Sequence, residues 1–179
     1  MGTGGNYSAV LDLEPLQLAI TPSGMDKGML APSDILQVNH AGDIVHGKHS
    51  ASYELKVHLA IVRLRNAGAV FHTHSLWGTI LSEKHAVEQG VVLEGYEMLK
   101  GLARVSTHQH REWVPILQNC QDMAEFSETV AASLNDHPDS HGFLVRGHGL
   151  YTWGRTVQEA KRHVEIFEFL FEVAGHTKI

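Results

Sequence analysis

His72-Thr73-His74 places two imidazoles one residue apart at the end of the apolar run Ala69-Val70-Phe71. On an extended strand residues i and i+2 point to the same face, so both rings converge on one point, as a metal chelate requires. Borderline divalent ions such as Zn²⁺ favour neutral imidazole, and a catalytic site usually takes three protein ligands and leaves a position open for water or substrate. His148 is the best third candidate. It sits in the glycine-punctuated segment Arg146-Gly147-His148-Gly149-Leu150-Tyr151, directly after a second apolar run, Phe143-Leu144-Val145. The chain holds 14 histidines, so chance pairs are expected. His108-Gln109-His110 is such a pair, set among Thr107, Arg111 and Glu112 with no apolar strand to hold it, and it reads as loop. His58, His141, His163 and the remaining histidines read as surface or locally hydrogen-bonded residues.

A second kind of chemistry lies in two glycine turns, Thr3-Gly4-Gly5-Asn6-Tyr7-Ser8 and Thr21-Pro22-Ser23-Gly24. Glycine lets backbone N–H groups approach a ligand while short hydroxyl and amide side chains add donors, a concavity suited to phosphate. Lys48-His49-Ser50-Ala51-Ser52, just ahead of a helix start, offers a third set of donors at a terminus that favours anions. For a general base the segment Gly95-Tyr96-Glu97-Met98-Leu99-Lys100-Gly101 supplies Glu97, framed by apolar neighbours whose burial would raise its pKa toward working pH. Glu54 and Glu94 are rival carboxylates, and spacing does not choose among the three.

Strand and helix signals that must position these residues alternate along the chain. Residues 1–30 read as short strands joined by polar turns. Leu55, Leu59 and Val62 recur at helical spacing between Glu54 and Arg65, before Asn66-Ala67-Gly68 stops the helix and the strand bearing His72 follows. Asp122 and Glu125 have capping-box spacing ahead of the stripe Phe126, Val130 and Leu134. The last helix starts with Thr156 and Glu159, lines one face with Ala160, Val164, Phe167 and Phe171, draws Phe169 into core or subunit contact, and ends at Gly175. The pattern predicts a helix-covered sheet whose ligand-bearing ends face one cleft.

Composition narrows the partners. The 179 residues are 43% hydrophobic, enough for a sizeable core in one domain over residues 1–179. A formal net charge of -6 without a Lys/Arg run lacks the electrostatic footprint of a nucleic-acid binder. One cysteine, Cys120, excludes an internal disulfide and fits a reducing compartment. No apolar run approaches the ~20 residues of a membrane span and Met1-Gly2 leads into no signal peptide, so the expected address is the cytoplasm. Small molecules or copies of itself are the expected partners.

Gly5-Asn6-x-Ser8, Thr21-Pro22-Ser23-Gly24 and His72-Thr73-His74-Ser75 together resemble the class II aldolase/adducin family over essentially the whole chain. Tyr96-Glu97-Met98-x-Lys100-Gly101, Val114-Pro115-Ile116 and Arg146-Gly147-His148-Gly149-x-Tyr151-x-Trp153-Gly154 resemble its dehydratase branch, which removes water from a methylthio-pentulose phosphate in methionine salvage. The resemblance implies a three-layer α/β/α fold on a largely antiparallel central sheet, and a homotetramer with active sites near subunit interfaces. It also implies one Zn²⁺ per subunit held by His72, His74 and His148, with Glu97 as the acid/base residue. Gly5, Asn6, Ser23, Gly24 and either Ser50 or Ser52 would surround the phosphate. The family carries a helix before the Gly-Asn turn, whereas this sequence starts almost on that turn, at Met1-Gly2-Thr3, so the helix is either truncated away or absent. A glutamate near Glu54 serves the family's sugar-phosphate aldolases, which keeps carbon–carbon cleavage as the rival chemistry.

Overall fold

The computed structural model describes residues 4–177. Among them run strands β1 (Asn6–Leu13), β2 (Leu16–Ile20), β3 (Leu36–Asn39), β4 (Ile44–His46), β5 (Ala69–Thr73), β6 (Gly90–Glu94), β7 (Arg111–Leu117), β8 (Gly142–Val145) and β9 (Gly149–Gly154). The helices are α1 (Leu55–Arg65), α2 (Leu76–Lys84), α3 (Met123–Asp136) and α4 (Val157–Thr177). The strands form one sheet in the order β4-β3-β2-β1-β5-β9-β8-β7-β6. Its pairings are antiparallel except for β7 with β8, so the sheet is largely antiparallel as expected.

Because side chains alternate across a strand, each buried strand feeds two cores. Phe143, Val145, Tyr151 and Trp153 pack with Leu59 and Ile61 of α1 and with Phe126, Val130 and Leu134 of α3. Leu144 and Leu150 point the other way, onto Leu81 of α2 and onto Phe167 and Phe171 of α4. Three layers result. α1 stops where its sequence says it should, with Asn66 in the left-handed conformation at φ 48°. Asp122 caps α3 by accepting from the N–H groups of Ala124 and Glu125. No helix among the described residues is long and apolar enough to cross a membrane.

Two features of α4 depart from expectation. Gly175 does not end the helix, which runs on to Thr177. A Cβ at this position would come within 2.3 Å of the Trp77 ring, so the glycine serves close approach of α2 rather than termination. The inward face is also turned relative to the expected stripe: Ile166 and Leu170 are buried and Val164 is only half-buried, while Phe169, 46% exposed in this chain, lies outside the core and keeps subunit contact as its expected role.

A cluster that the sequence hides lies far along the sheet from the His72 strand. Glu112 on β7 is buried and accepts from the His141 backbone N–H (2.8 Å), from His141 Nδ1 (2.9 Å) and from His110 Nε2 (2.7 Å). His141 Nε2 donates to the Ala103 carbonyl at 2.8 Å. With both ring nitrogens donating, His141 is an imidazolium paired to a carboxylate, and it offers no lone pair to a metal. Burial alone would raise the Glu112 pKa, but the hydrogen bonds and charge of His141, with His110, outweigh it and hold the value below the ordinary 4.5. Burial pulls His141 down, and Glu112 with the Ala103 carbonyl carry it above 6.5.

The two signs define a pH window. The Glu112 contribution is complete above about pH 4.5 and is lost as acid protonates it; the His141 contribution is complete below about pH 6.5 and is lost as alkali removes its proton. Glu112→Gln should therefore lower the unfolding free energy by about 3 kcal/mol inside that window and by less on either side. Chemical denaturation of both proteins from pH 4 to 9 checks this; a difference that does not vary with pH would mean the pair is not ionised.

Candidate functional site

Sheet register assembles the site. Asn6 on β1 pairs with His72 on β5, and His72 pairs with Tyr151 on β9, so the three residues form one row across neighbouring strands. Gly5 makes the row possible: its φ of +75° turns the chain into β1, and a Cβ there would meet the His72 carbonyl oxygen at 2.5 Å. Tyr151 stacks on the His72 ring at 4.1 Å between centroids. α1 lies over the same face and brings Glu54, at its N-cap, against the row.

His72 is wholly buried, and its Nδ1–H donates to the Leu150 carbonyl at 3.0 Å. That bond leaves the Nε2 lone pair bare, and Nε2 is a buried polar atom without a hydrogen-bond partner. Burial drives the His72 pKa down to about 4, so the ring is neutral at physiological pH. His74, just beyond the end of β5, and His148, in the β8–β9 turn, complete the set: one ring nitrogen from each of the three lies within 4.8 Å of the others. The Nε2 atoms of His74 and His148 stand 3.1 Å apart. Tetrahedral zinc with Zn–N bonds of about 2.0–2.1 Å needs nitrogens about 3.3 Å apart, so the His74–His148 pair is spaced for a single ion. An orphaned buried imidazole nitrogen whose opposite nitrogen is fixed by a carbonyl is the arrangement expected of a metal ligand.

Glu54 Oε1 lies 3.5 Å from His72 Nε2 and 3.7 Å from His148 Nε2. The same oxygen accepts from the Tyr151 hydroxyl at 2.8 Å, and Oε2 accepts from the Asn6 amide. Burial would raise the Glu54 pKa, but His72, the hydrogen bonds from Tyr151 and Asn6, and His148 together hold it below 4.5. It is a carboxylate locked by donors on both oxygens.

In front of these groups opens a cavity of about 540 Å³, lined by Gly4, Gly5 and Asn6, by Ser23 and Gly24, by Ser52 and Glu54, and by His74 and His148. Met123 and Phe126 supply apolar wall. Of the two serines left open by the resemblance, Ser52 lines the cavity, whereas Ser50 is exposed and contributes its backbone carbonyl to the Ser23 N–H at 3.0 Å. Glu97 stands apart. It lies on a 3₁₀ turn, Glu97–Gly101, its side chain is 70% exposed, and it is not among the residues lining the cavity. The burial expected to raise its pKa is absent within this chain; its ion pair with Lys100 holds the carboxyl below the usual value. Glu94 is likewise exposed and pairs with Arg111 at 3.5 Å.

Sequence reasoning assigned no role at the site to His58 and saw Tyr151 only as part of a motif. Both carried a usable signal: His58 follows Glu54 by four residues on one helix face, and Tyr151 follows His148 by three into a strand.

Fold and metal-ready histidines together define a class: the profile of the Class II Aldolase and Adducin N-terminal domain matches residues 1–174, and the chain belongs to that family. Relatives within it include the methylthioribulose-1-phosphate dehydratase of Serratia proteamaculans, 46% identical over 171 residues, spanning 95% of this chain and 82% of the relative. The enzyme of the same name from Marinobacter nauticus is 43% identical over 171 residues, 95% of this chain and 81% of that protein. Among solved structures, an L-fuculose 1-phosphate aldolase superposes with a TM-score of 0.80 at 25% identity, covering 99% of this chain and 77% of the other. The L-fuculose-1-phosphate aldolase of Thermus thermophilus gives 0.77 at 26% identity, covering 99% and 85%.

Proposed function

We propose that this chain is a zinc-dependent methylthioribulose-1-phosphate dehydratase of methionine salvage, converting 5-methylthioribulose 1-phosphate to 2,3-diketo-5-methylthiopentyl 1-phosphate and water. The observation that carries this reading is the orphaned Nε2 of buried His72, facing His74 and His148 at the head of a cavity, in a chain whose relatives bear that name. His72, His74 and His148 would hold the zinc, which supplies a Lewis acid beside the C2 carbonyl and so acidifies the C3 proton.

Ser23 and Ser52, with the backbone N–H groups of Gly5 and Gly24, bind the phosphate beside Asn6, whose amide hydrogens are taken by Glu54 and Ser52, and this remote binding energy fixes the sugar chain over the histidines. Met123 and Phe126 receive the methylthio end, where sulfur against an aromatic edge is favourable. Glu97 takes the C3 proton and returns a proton to the departing C4 hydroxyl; the resulting enol tautomerises to the diketone. Glu97 does not line the cavity of its own chain, so this role requires it to enter the site of a neighbouring copy in a homotetramer.

The closeness of Glu54 to the ligand nitrogens and the likeness to L-fuculose 1-phosphate aldolases favour one rival, cleavage of a carbon–carbon bond. Incubating the zinc-loaded protein with methylthioribulose 1-phosphate separates them. Dehydration yields a product lighter by one water; appearance of a three-carbon phosphate would replace this assignment with an aldolase.

A further inference from the structure

Behind the cavity wall runs a chain of hydrogen bonds that leads from buried side chains to half-buried Glu54 and Ser52. Ser8 Oγ and His58 Nδ1 are 2.7 Å apart, His58 Nε2 meets Asn6 Oδ1, and Asn6 Nδ2 meets both Glu54 Oε2 and, at 3.2 Å, Ser52 Oγ. His58 is wholly buried, and Asn6 and Ser8 nearly so.

Each direction in this chain is forced. An ionised carboxylate only accepts, so the Asn6 group facing Glu54 must be the NH₂. Asn6 Oδ1 then faces His58, whose Nε2 must carry the proton; Nδ1 is left as acceptor, and Ser8 must donate to it. At the other end Ser52 Oγ accepts twice, from Asn6 Nδ2 and from the Glu54 backbone N–H, also at 3.2 Å. Its own hydrogen is thereby left to point into the cavity, toward an anion.

We infer that His58 is a positioning residue which, through the Asn6 amide, fixes the Glu54 carboxylate and turns the Ser52 hydroxyl into a donor for the substrate's phosphate group. This rests on the phosphate assignment above and deepens it. Without the imidazole N–H, the Asn6 amide is free to reverse, which sets its carbonyl oxygen against the Glu54 carboxylate and releases Ser52. Burial holds the His58 pKa at about 3, which keeps the ring in the neutral form that the chain requires.

Two variants separate positioning from packing. His58→Met fills a similar volume without a donor, whereas His58→Gln presents an amide N–H near the place of Nε2. In zinc-loaded protein, calorimetric titration with inorganic phosphate should show binding about tenfold to a hundredfold weaker for His58→Met, the cost of losing an oriented donor to a charged group, and affinity near wild type for His58→Gln. Zinc content should be the same in all three. For the phosphorylated substrate the Met variant should show the larger change in KM and the Gln variant should recover it. Unchanged phosphate affinity in His58→Met, or equal losses in two folded variants, would overturn the inference. If the Met variant does not fold, ¹⁵N NMR of wild-type zinc protein at pH 7 decides: a protonated Nε2 with a bare Nδ1 is expected for His58, and the opposite tautomer or an imidazolium contradicts it. Phosphate affinity and tautomer are read without turnover, so a failure of the dehydration assignment leaves a different signature.

Discussion

Glu97→Gln should leave zinc stoichiometry and phosphate affinity intact while lowering kcat by about 10²–10⁴-fold, the usual span for losing a general acid/base. The substitution keeps the shape of an exposed side chain and removes its ability to exchange a proton, so folding should not change. The position of Glu97 outside its own cavity adds a sharper expectation. His148→Ala and Glu97→Gln should each be inactive alone, but mixed oligomers reassembled from the two should regain activity. Sites with an intact histidine set from one variant then receive an intact Glu97 from the other. Steady-state rates on the mixture read this directly. No recovery would place Glu97 and the histidines it serves in one chain, and full activity of Glu97→Gln alone would transfer the proton role to Glu54.

The second large effect belongs to the histidines. His148→Ala should weaken zinc binding by more than about a hundredfold, since losing even a residue that only orients a ligand costs about 10–100-fold, and turnover should fall to background. The variant should fold, because His148 lies in a turn and is only half-buried. His72→Ala should lose zinc too, but with added loss of stability, because it empties space beneath the stacked Tyr151 ring and leaves the Leu150 carbonyl without its donor. Metal titration followed by thermal denaturation of the metal-free proteins separates the two outcomes. Normal zinc affinity in His148→Ala would remove that residue from the ligand set.

Much of this site was written locally. The period of a strand is two, so His72 and His74 could be paired from spacing, and Gly147 and Gly149 marked the turn that presents His148. The caps at Asn66, Asp122 and Thr156 were equally legible, because each acts within one helical turn. What spacing could not choose was the carboxylate at the cavity. Glu54 reaches it because β1, β5 and β9 align Asn6, His72 and Tyr151, and because α1 crosses that row, both facts of register between distant segments. Gly175 misled for a related reason: a glycine near a helix end reads as a stop, whereas the contact that uses it comes from Trp77 on another helix. The Glu112–His141 pair was hidden because it spans 29 residues and joins β7 to the residue just ahead of β8.

Zinc K-edge X-ray absorption on protein carrying stoichiometric metal tests the central claim most directly. The expected result is one zinc per chain with three imidazole nitrogens at about 2.0–2.1 Å and the remaining coordination from light atoms. Failure to retain stoichiometric metal, or a ligand set that contains sulfur from Cys120, would contradict a centre built from His72, His74 and His148.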